Sequence, residues 1–168
     1  MNARYGPGEQ TLAWSLVAIQ GVLLAVLVVL PGERAWSTPW WLAILAVAMI
    51  LVAVALAVAG ALRLGTGLTA SPLPSPAAQL RTTGPYACVR HPIYAALLFG
   101  GAGLVILGGR PARVAVWLAL LALLWAKTVL EERKLSERFA DYRAYAARTP
   151  RLLPNPLRCA TRIRDPRS

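Results

Sequence analysis

The sequence predicts an all-α, polytopic membrane protein with about four transmembrane helices and a C-terminal interfacial amphipathic helix. Three observations carry this. Of 168 residues, 57% are hydrophobic and only 15% charged, against about 45–50% and about 25% in soluble domains. The mean hydropathy is +0.54. The apolar residues also come in long uninterrupted blocks, with the charge gathered between and after them, which is the pattern of membrane spans.

The first block covers residues 12–30 and stops at Pro31-Gly32. Only Arg4 is basic ahead of it and no small-x-small cleavage site follows, so it reads as a retained span rather than a signal peptide. The second covers residues 40–62, with Trp40 and Trp41 at its entrance where interfacial aromatics belong. Residues 63–92 form a linker. Its Ser71-Pro72-Leu73-Pro74-Ser75-Pro76 run excludes regular helix or central strand. Read blandly it is a surface connector, but connectors this long are more often functional. The third block, residues 93–107, is short for a span, covering only about 22 Å at about 1.5 Å per residue. Gly100, Gly101 and Gly103 on it permit close helix contact. A turn at Gly108-Gly109-Arg110-Pro111 leads into the fourth block, residues 112–130, making a helical hairpin of 93–130. Lys127 near its end is expected to snorkel to the interface. Leu135, Phe139, Tyr142 and Ala146 recur at three- and four-residue steps. They predict that the helix continues from 131 to about 148 as an amphipathic surface segment. Residues 131–154 close this part, and 155–168 read as a disordered basic tail. There is no internal repeat, and the whole chain reads as one membrane domain.

The net charge is +11. Residues 131–168 hold ten basic and five acidic side chains, and the linker adds three arginines without an acid. Basic residues beside apolar blocks follow the positive-inside rule and suit anionic headgroups. They place the linker, the tail and both termini at the cytoplasmic face of a bacterial inner membrane; Arg110 and Arg113 in the outer turn dissent. No groove-reading motif is present, so nucleic acid is excluded as a partner. Cys88 and Cys159 form no CxxC pair and fall on the cytoplasmic side, so no structural disulfide is expected and Cys88 reads as a small buried hydrophobe. With one His and two Cys in the chain, no closed metal site is expected.

Polar residues flank the hairpin. Tyr86, Arg90, His91 and Tyr94 stand at its entry, and Glu131 and Glu132 at its exit. A hairpin brings its ends together, and ionisable groups at a membrane edge are costly unless paired or functional. Singly each has a plain reading: Arg90 as an anchor, His91-Pro92 as a helix entry, the tyrosines as belt aromatics, the glutamates as solvated charge. Together they would leave the long turn-rich linker unexplained. Arg and His suit a carboxylate or phosphate, Glu an ammonium, and Tyr a base or a cation. S-adenosylmethionine carries such groups, as do other ligands. The glycine-rich turn of a soluble α/β methyltransferase is missing.

The run Leu80-Arg81-Thr82-Thr83-Gly84-Pro85-Tyr86-Ala87-Cys88-Val89-Arg90-His91-Pro92-Ile93-Tyr94 resembles the signature of isoprenylcysteine carboxyl methyltransferases and the related phospholipid methyltransferases, G-x-Y followed by R-H-P-x-Y. Downstream, Glu131-Glu132-Arg133-Lys134-Leu135, then Phe139, Tyr142, Tyr145 and Arg151-Leu152-Leu153-Pro154, resemble the ending of that family. The likeness covers roughly residues 80–154. It implies a site for S-adenosylmethionine lined or supported by Tyr86, Arg90, His91, Pro92, Tyr94, Glu131 and Glu132, with Leu153 and Pro154 closing it. Arg90, Glu131 and Glu132 are the candidate catalytic residues; one glutamate would hold the cofactor ammonium and the other take a proton, in an order the sequence leaves open. Ala96 departs from the family, which often has Gly there.

Two other readings stay beside the methyltransferase: an NADPH-dependent sterol-type reductase, which resembles the R-H-P region but carries more spans, and a non-enzymatic membrane partner that keeps the fold. A lipid-like acceptor entering from the bilayer is expected. Its identity and a homodimer are left open.

Overall fold

The computed structural model describes residues 5–154 and Cys159. Among these residues it is all-helical. The helices are α1 (Pro7–Val29), α2 (Trp40–Leu64), α3 (Pro85–Cys88), α4 (Pro92–Gly108), α5 (Pro111–Arg138) and α6 (Tyr142–Arg148), with a 3-10 turn at Gly65–Gly67. By length and composition α1, α2 and α5 can cross a membrane, and α4 is a shorter apolar helix. Pro stands in the first turn of α1, α3, α4 and α5, where its missing N–H costs nothing.

Large side chains face outward along the spans, including Trp14, Val22, Leu51, Val54 and Trp125. This is the inverse of a soluble protein and suits lipid contact. Small residues do the inward packing. On α2 the buried positions are Ala46, Ala53 and Gly60, seven residues apart, and this seam carries the most extensive helix contact in the fold, with α4. A Cβ on Gly103 would lie 2.8 Å from the Ala46 carbonyl oxygen and 2.9 Å from Ile50 Cγ1. Gly103→Ala is therefore expected to force α2 and α4 apart and destabilise by about 1–3 kcal/mol, read as a fall in unfolding temperature in detergent. On the other side of α4, Leu27, Leu98, Leu120 and Leu124 form the core with Tyr94 and Leu152.

The two ends of the bundle differ. At one end the arginines that dissent from the charge rule cap helix carbonyls. Arg34 donates to the Leu107 and Gly108 oxygens, Arg110 to Gly32 and Arg113 to Val28 and Leu104. The Val28, Leu107 and Gly108 carbonyls lie in the last turns of α1 and α4, which leave such groups unpaired, and the negative helix ends favour cations there. Gly109 turns the hairpin with φ 63° against the Trp36 backbone.

At the other end lies the linker. It is no surface connector: Pro72 is fully buried and Pro74 is buried. It is tied down by Tyr5, whose hydroxyl donates to the Pro74 oxygen, and by Arg138, which donates to the Ser75 and Pro76 oxygens.

Two expectations are corrected here. The helix after 131 is not continuous to 148: it ends at Arg138, and a turn at 139–141 starts α6. The turn lets Tyr142 and Tyr145 fold under, both buried, with the Tyr145 hydroxyl donating to the Tyr86 oxygen at 2.7 Å. Burial of two aromatics outweighs one more helical turn. The cysteines are also paired: Cys88 and Cys159 form a disulfide across 71 residues, Cα to Cα 4.6 Å. Backbone bonds from Arg90 N to Pro150 O and from His91 N to Arg151 O lead the C-terminal chain back past α3, a juxtaposition invisible in the spacing. The rest of the tail expectation lies outside the described residues.

Candidate functional site

The hairpin brings its two polar ends together. Gly84, at φ 62°, precedes α3 and sets Tyr86 inward. Val89 is extended, and His91 caps α4. These turns carry Tyr86, Arg90, His91 and Tyr94 against the last turns of α5. There the two glutamates diverge because neighbours on a helix point about 100° apart.

Glu132 turns into protein. Its Oε1 accepts from His91 Nε2 and Arg151 Nε, both at 3.0 Å; its Oε2 accepts from Arg90 Nη1 at 3.0 Å and Arg151 Nη2 at 2.7 Å. The side chain is 10% exposed. The bidentate Arg151 contact is the strong geometry for such a pair, and the Arg151 guanidinium also lies 4.8 Å over the Trp125 ring.

Glu131 turns toward open space. Its Oε2 accepts from the Tyr94 hydroxyl at 3.0 Å and lies 3.8 Å from His91 Nδ1. His91 is thus held between both carboxylates and stacks on Tyr94, with ring centroids 5.5 Å apart. Since the Glu132 contact requires a proton on Nε2, Nδ1 is the atom that faces Glu131.

Glu131 lines a cavity of about 310 Å³, the small end of the range for ligand sites. It is lined by Tyr86, Arg90, His91, Pro92, Tyr94 and Glu131 together with Gln20, Leu64, Leu68, Thr69, Ala70 and Ile93. Six of the expected site residues therefore meet at one cavity. Glu132 supports it from behind. Leu153 and Pro154 do not line it: both are exposed, and it is their neighbour Leu152 that is buried.

Burial, reinforced by the charge of Glu131, pushes the Tyr86 phenol well above its ordinary range. Burial and Glu132 do the same for Tyr142. Both remain protonated donors at neutral pH. The Tyr142 hydroxyl and Arg90 Nε are buried without a hydrogen-bond partner, and such groups are costly unless something completes them.

Lys127 is a further correction. It does not snorkel: it is fully buried. Its Nζ donates to Gln20 Oε1 at 2.5 Å and to the Ala70 oxygen at 2.9 Å, and lies 5.2 Å from the centre of the Tyr94 ring. Bonds available inside the bundle replace those at the interface. Among the described residues no group of three His, Cys, Asp or Glu side chains could hold a metal ion.

Sequence reasoning missed the rest of the lining, Gln20 and the residues at 64–70. Gln20 gave a signal, as the only polar side chain from residue 16 to residue 29 in an otherwise apolar helix. Arg151 was in view only as part of the downstream motif. The linker carbonyl at Ala70 gave no side-chain signal at all.

The family model for phospholipid methyltransferase matches residues 41–142, which takes in α2, the linker, the hairpin and both glutamates. Among curated proteins, the chain is 37% identical over 76 residues to a cobalt-zinc-cadmium resistance protein, CzcN, of Cupriavidus metallidurans, covering 45% of this chain and 35% of that one. It is 30% identical over 140 residues to a nickel-cobalt-cadmium resistance protein, NccN, of Alcaligenes xylosoxydans xylosoxydans, covering 82% of this chain and 62% of the relative. The chain thus spans between about a third and three-fifths of the length of these relatives. No solved structure matches it.

Proposed function

From the premise that the chain belongs to the phospholipid methyltransferase family, we propose that it is an integral membrane methyltransferase that uses S-adenosylmethionine to methylate a lipid-like acceptor. The observation that carries this reading is the convergence of Tyr86, Arg90, His91, Tyr94 and Glu131 on one cavity beside the apolar linker wall.

The residues present fit the cofactor. Glu131 faces the cavity as a partner for its ammonium, and Arg90, which lines the same cavity, is a cation for its carboxylate. Glu132 has no free valence for either role, since its oxygens already take four N–H groups. The cofactor supplies an activated methyl group on a sulfonium, so the protein need only align and desolvate. Leu64, Leu68 and Ile93 make part of the lining of the same cavity apolar. Glu131, hydrogen-bonded to Tyr94 and beside His91 Nδ1, is the carboxylate in reach of a proton from an acceptor amine or thiol; a carboxylate acceptor needs no base.

The charge distribution supports a bacterial inner-membrane setting with both termini in the cytoplasm and anionic lipid around the basic linker and tail. The names of the two relatives support a setting in resistance to divalent metals.

Calorimetric titration of the detergent-purified protein with S-adenosylhomocysteine tests the reading. Micromolar binding is expected. Arg90→Ala should weaken it by about tenfold or more, the loss of roughly one charge-assisted hydrogen bond. Binding of NADPH in its place would favour the sterol-type reductase, and binding of neither a non-enzymatic partner.

A further inference from the structure

Lys127 is not explained by the roles given so far. A fully buried lysine within a span is costly and is placed there for a reason. Its Nζ joins three elements at one point: α1 through Gln20, the linker through the Ala70 oxygen, and α4 through the Tyr94 ring. Gln20, Ala70 and Tyr94 all line the cavity, and Glu131 is one helical turn along α5.

A lysine ammonium is a donor only. The atom of Gln20 that it touches must therefore be the carbonyl oxygen Oε1, and this fixes the two faces of the amide. The Gln20 Nε2 group, with its two N–H donors, has no protein acceptor among the hydrogen bonds of the described residues. The residue lines the same cavity as Arg90 and His91. The lysine behind it polarises the amide and strengthens those donors. Leu64, Leu68 and Ile93 also line this cavity, so a bound group that failed to accept from Gln20 would leave its N–H groups facing an apolar lining.

We propose that Gln20 is a specificity-determining residue: its amide, held by Lys127, donates to an oxygen that the methyl acceptor carries beside its reacting atom. Lys127 is then a positioning residue. This rests on the methyltransferase reading and narrows it. The acceptor is an amphiphile with a carboxylate, amide or phosphate oxygen next to the nucleophile, and not a simple alkyl amine or thiol.

Gln20→Glu separates the donors from the packing. It keeps an oxygen for Lys127 but presents no N–H to the cavity, and Gln20→Leu removes both. The measurement is calorimetric binding of short-chain probes to the full chain in detergent, each with and without S-adenosylhomocysteine. Dihexanoylphosphatidylethanolamine and N-acetyl-S-octylcysteine carry the oxygen, whereas octylamine and octanethiol do not. At least one oxygen-bearing probe should bind the wild type and bind both Gln20 variants about tenfold or more weakly, a loss larger than any change in the S-adenosylhomocysteine affinity of those variants. Lys127→Met should lower probe affinity in the same direction and Lys127→Arg restore part of it. Probe binding that Gln20→Glu leaves unchanged would overturn the proposal, as would preference for the oxygen-free probes or no binding of either oxygen-bearing probe. S-adenosylhomocysteine binding to the wild type is read separately, so loss of the cofactor reading and loss of this one remain distinct results.

Discussion

Glu132→Ala is expected to destabilise the protein by about 3–5 kcal/mol, the range for removing one partner of a buried ionic cluster. Its carboxylate accepts from Arg90, from His91 and twice from Arg151. Removing it leaves two guanidiniums and an imidazole facing one another at the membrane edge. Two backbone bonds from residues 90 and 91 to Pro150 and Arg151 run alongside, so the C-terminal segment should loosen together with the R-H-P turn. Thermal unfolding in detergent reads the loss. Limited proteolysis should show cleavage near residue 151 that the wild type resists. Glu132→Gln keeps the shape and one acceptor oxygen and should fall between the two.

Glu131→Gln is expected to do the opposite. Glu131 makes one hydrogen bond, to Tyr94, and has a more distant contact with His91; a glutamine oxygen can still accept the first. The unfolding temperature should move by no more than about 2 °C, since well under 1 kcal/mol is at stake. Affinity for S-adenosylhomocysteine should fall by about a hundredfold, or about 2.8 kcal/mol, because a buried ammonium loses its counter-charge. Two adjacent glutamates thus carry different burdens. One is held in an ionic cluster and the other lines the cavity, as the helical rotation between them allows.

That division was not legible in the sequence, where Glu131 and Glu132 are equivalent members of one motif. The large features were. The apolar blocks became α1, α2, α4 and α5, with α2 and α4 within two residues of their expected bounds, α1 starting five residues earlier and α5 running eight residues past its block. The meeting of Tyr86, Arg90, His91, Pro92, Tyr94 and Glu131 followed from the hairpin. What escaped depended on tertiary contact. The break at 139–141 arises because Tyr142 and Tyr145 find a place beneath α3, which no local periodicity records. Lys127 was expected at the interface because a lysine near a helix end usually reaches water; Gln20 and the Ala70 carbonyl gave it partners inside. The Cys88–Cys159 pair depends on where the chain returns after Arg151. Arg110 and Arg113 departed from the positive-inside rule and are explained by carbonyls that only the folded hairpin places in reach.

The central claim is that Glu131, and not Glu132, faces the bound cofactor. Its most direct test is calorimetric titration of Glu131→Gln with S-adenosylhomocysteine, beside wild type, at matched folded fraction. The account predicts intact folding and a loss of affinity of about a hundredfold. Wild-type affinity in the folded Glu131→Gln protein would contradict it.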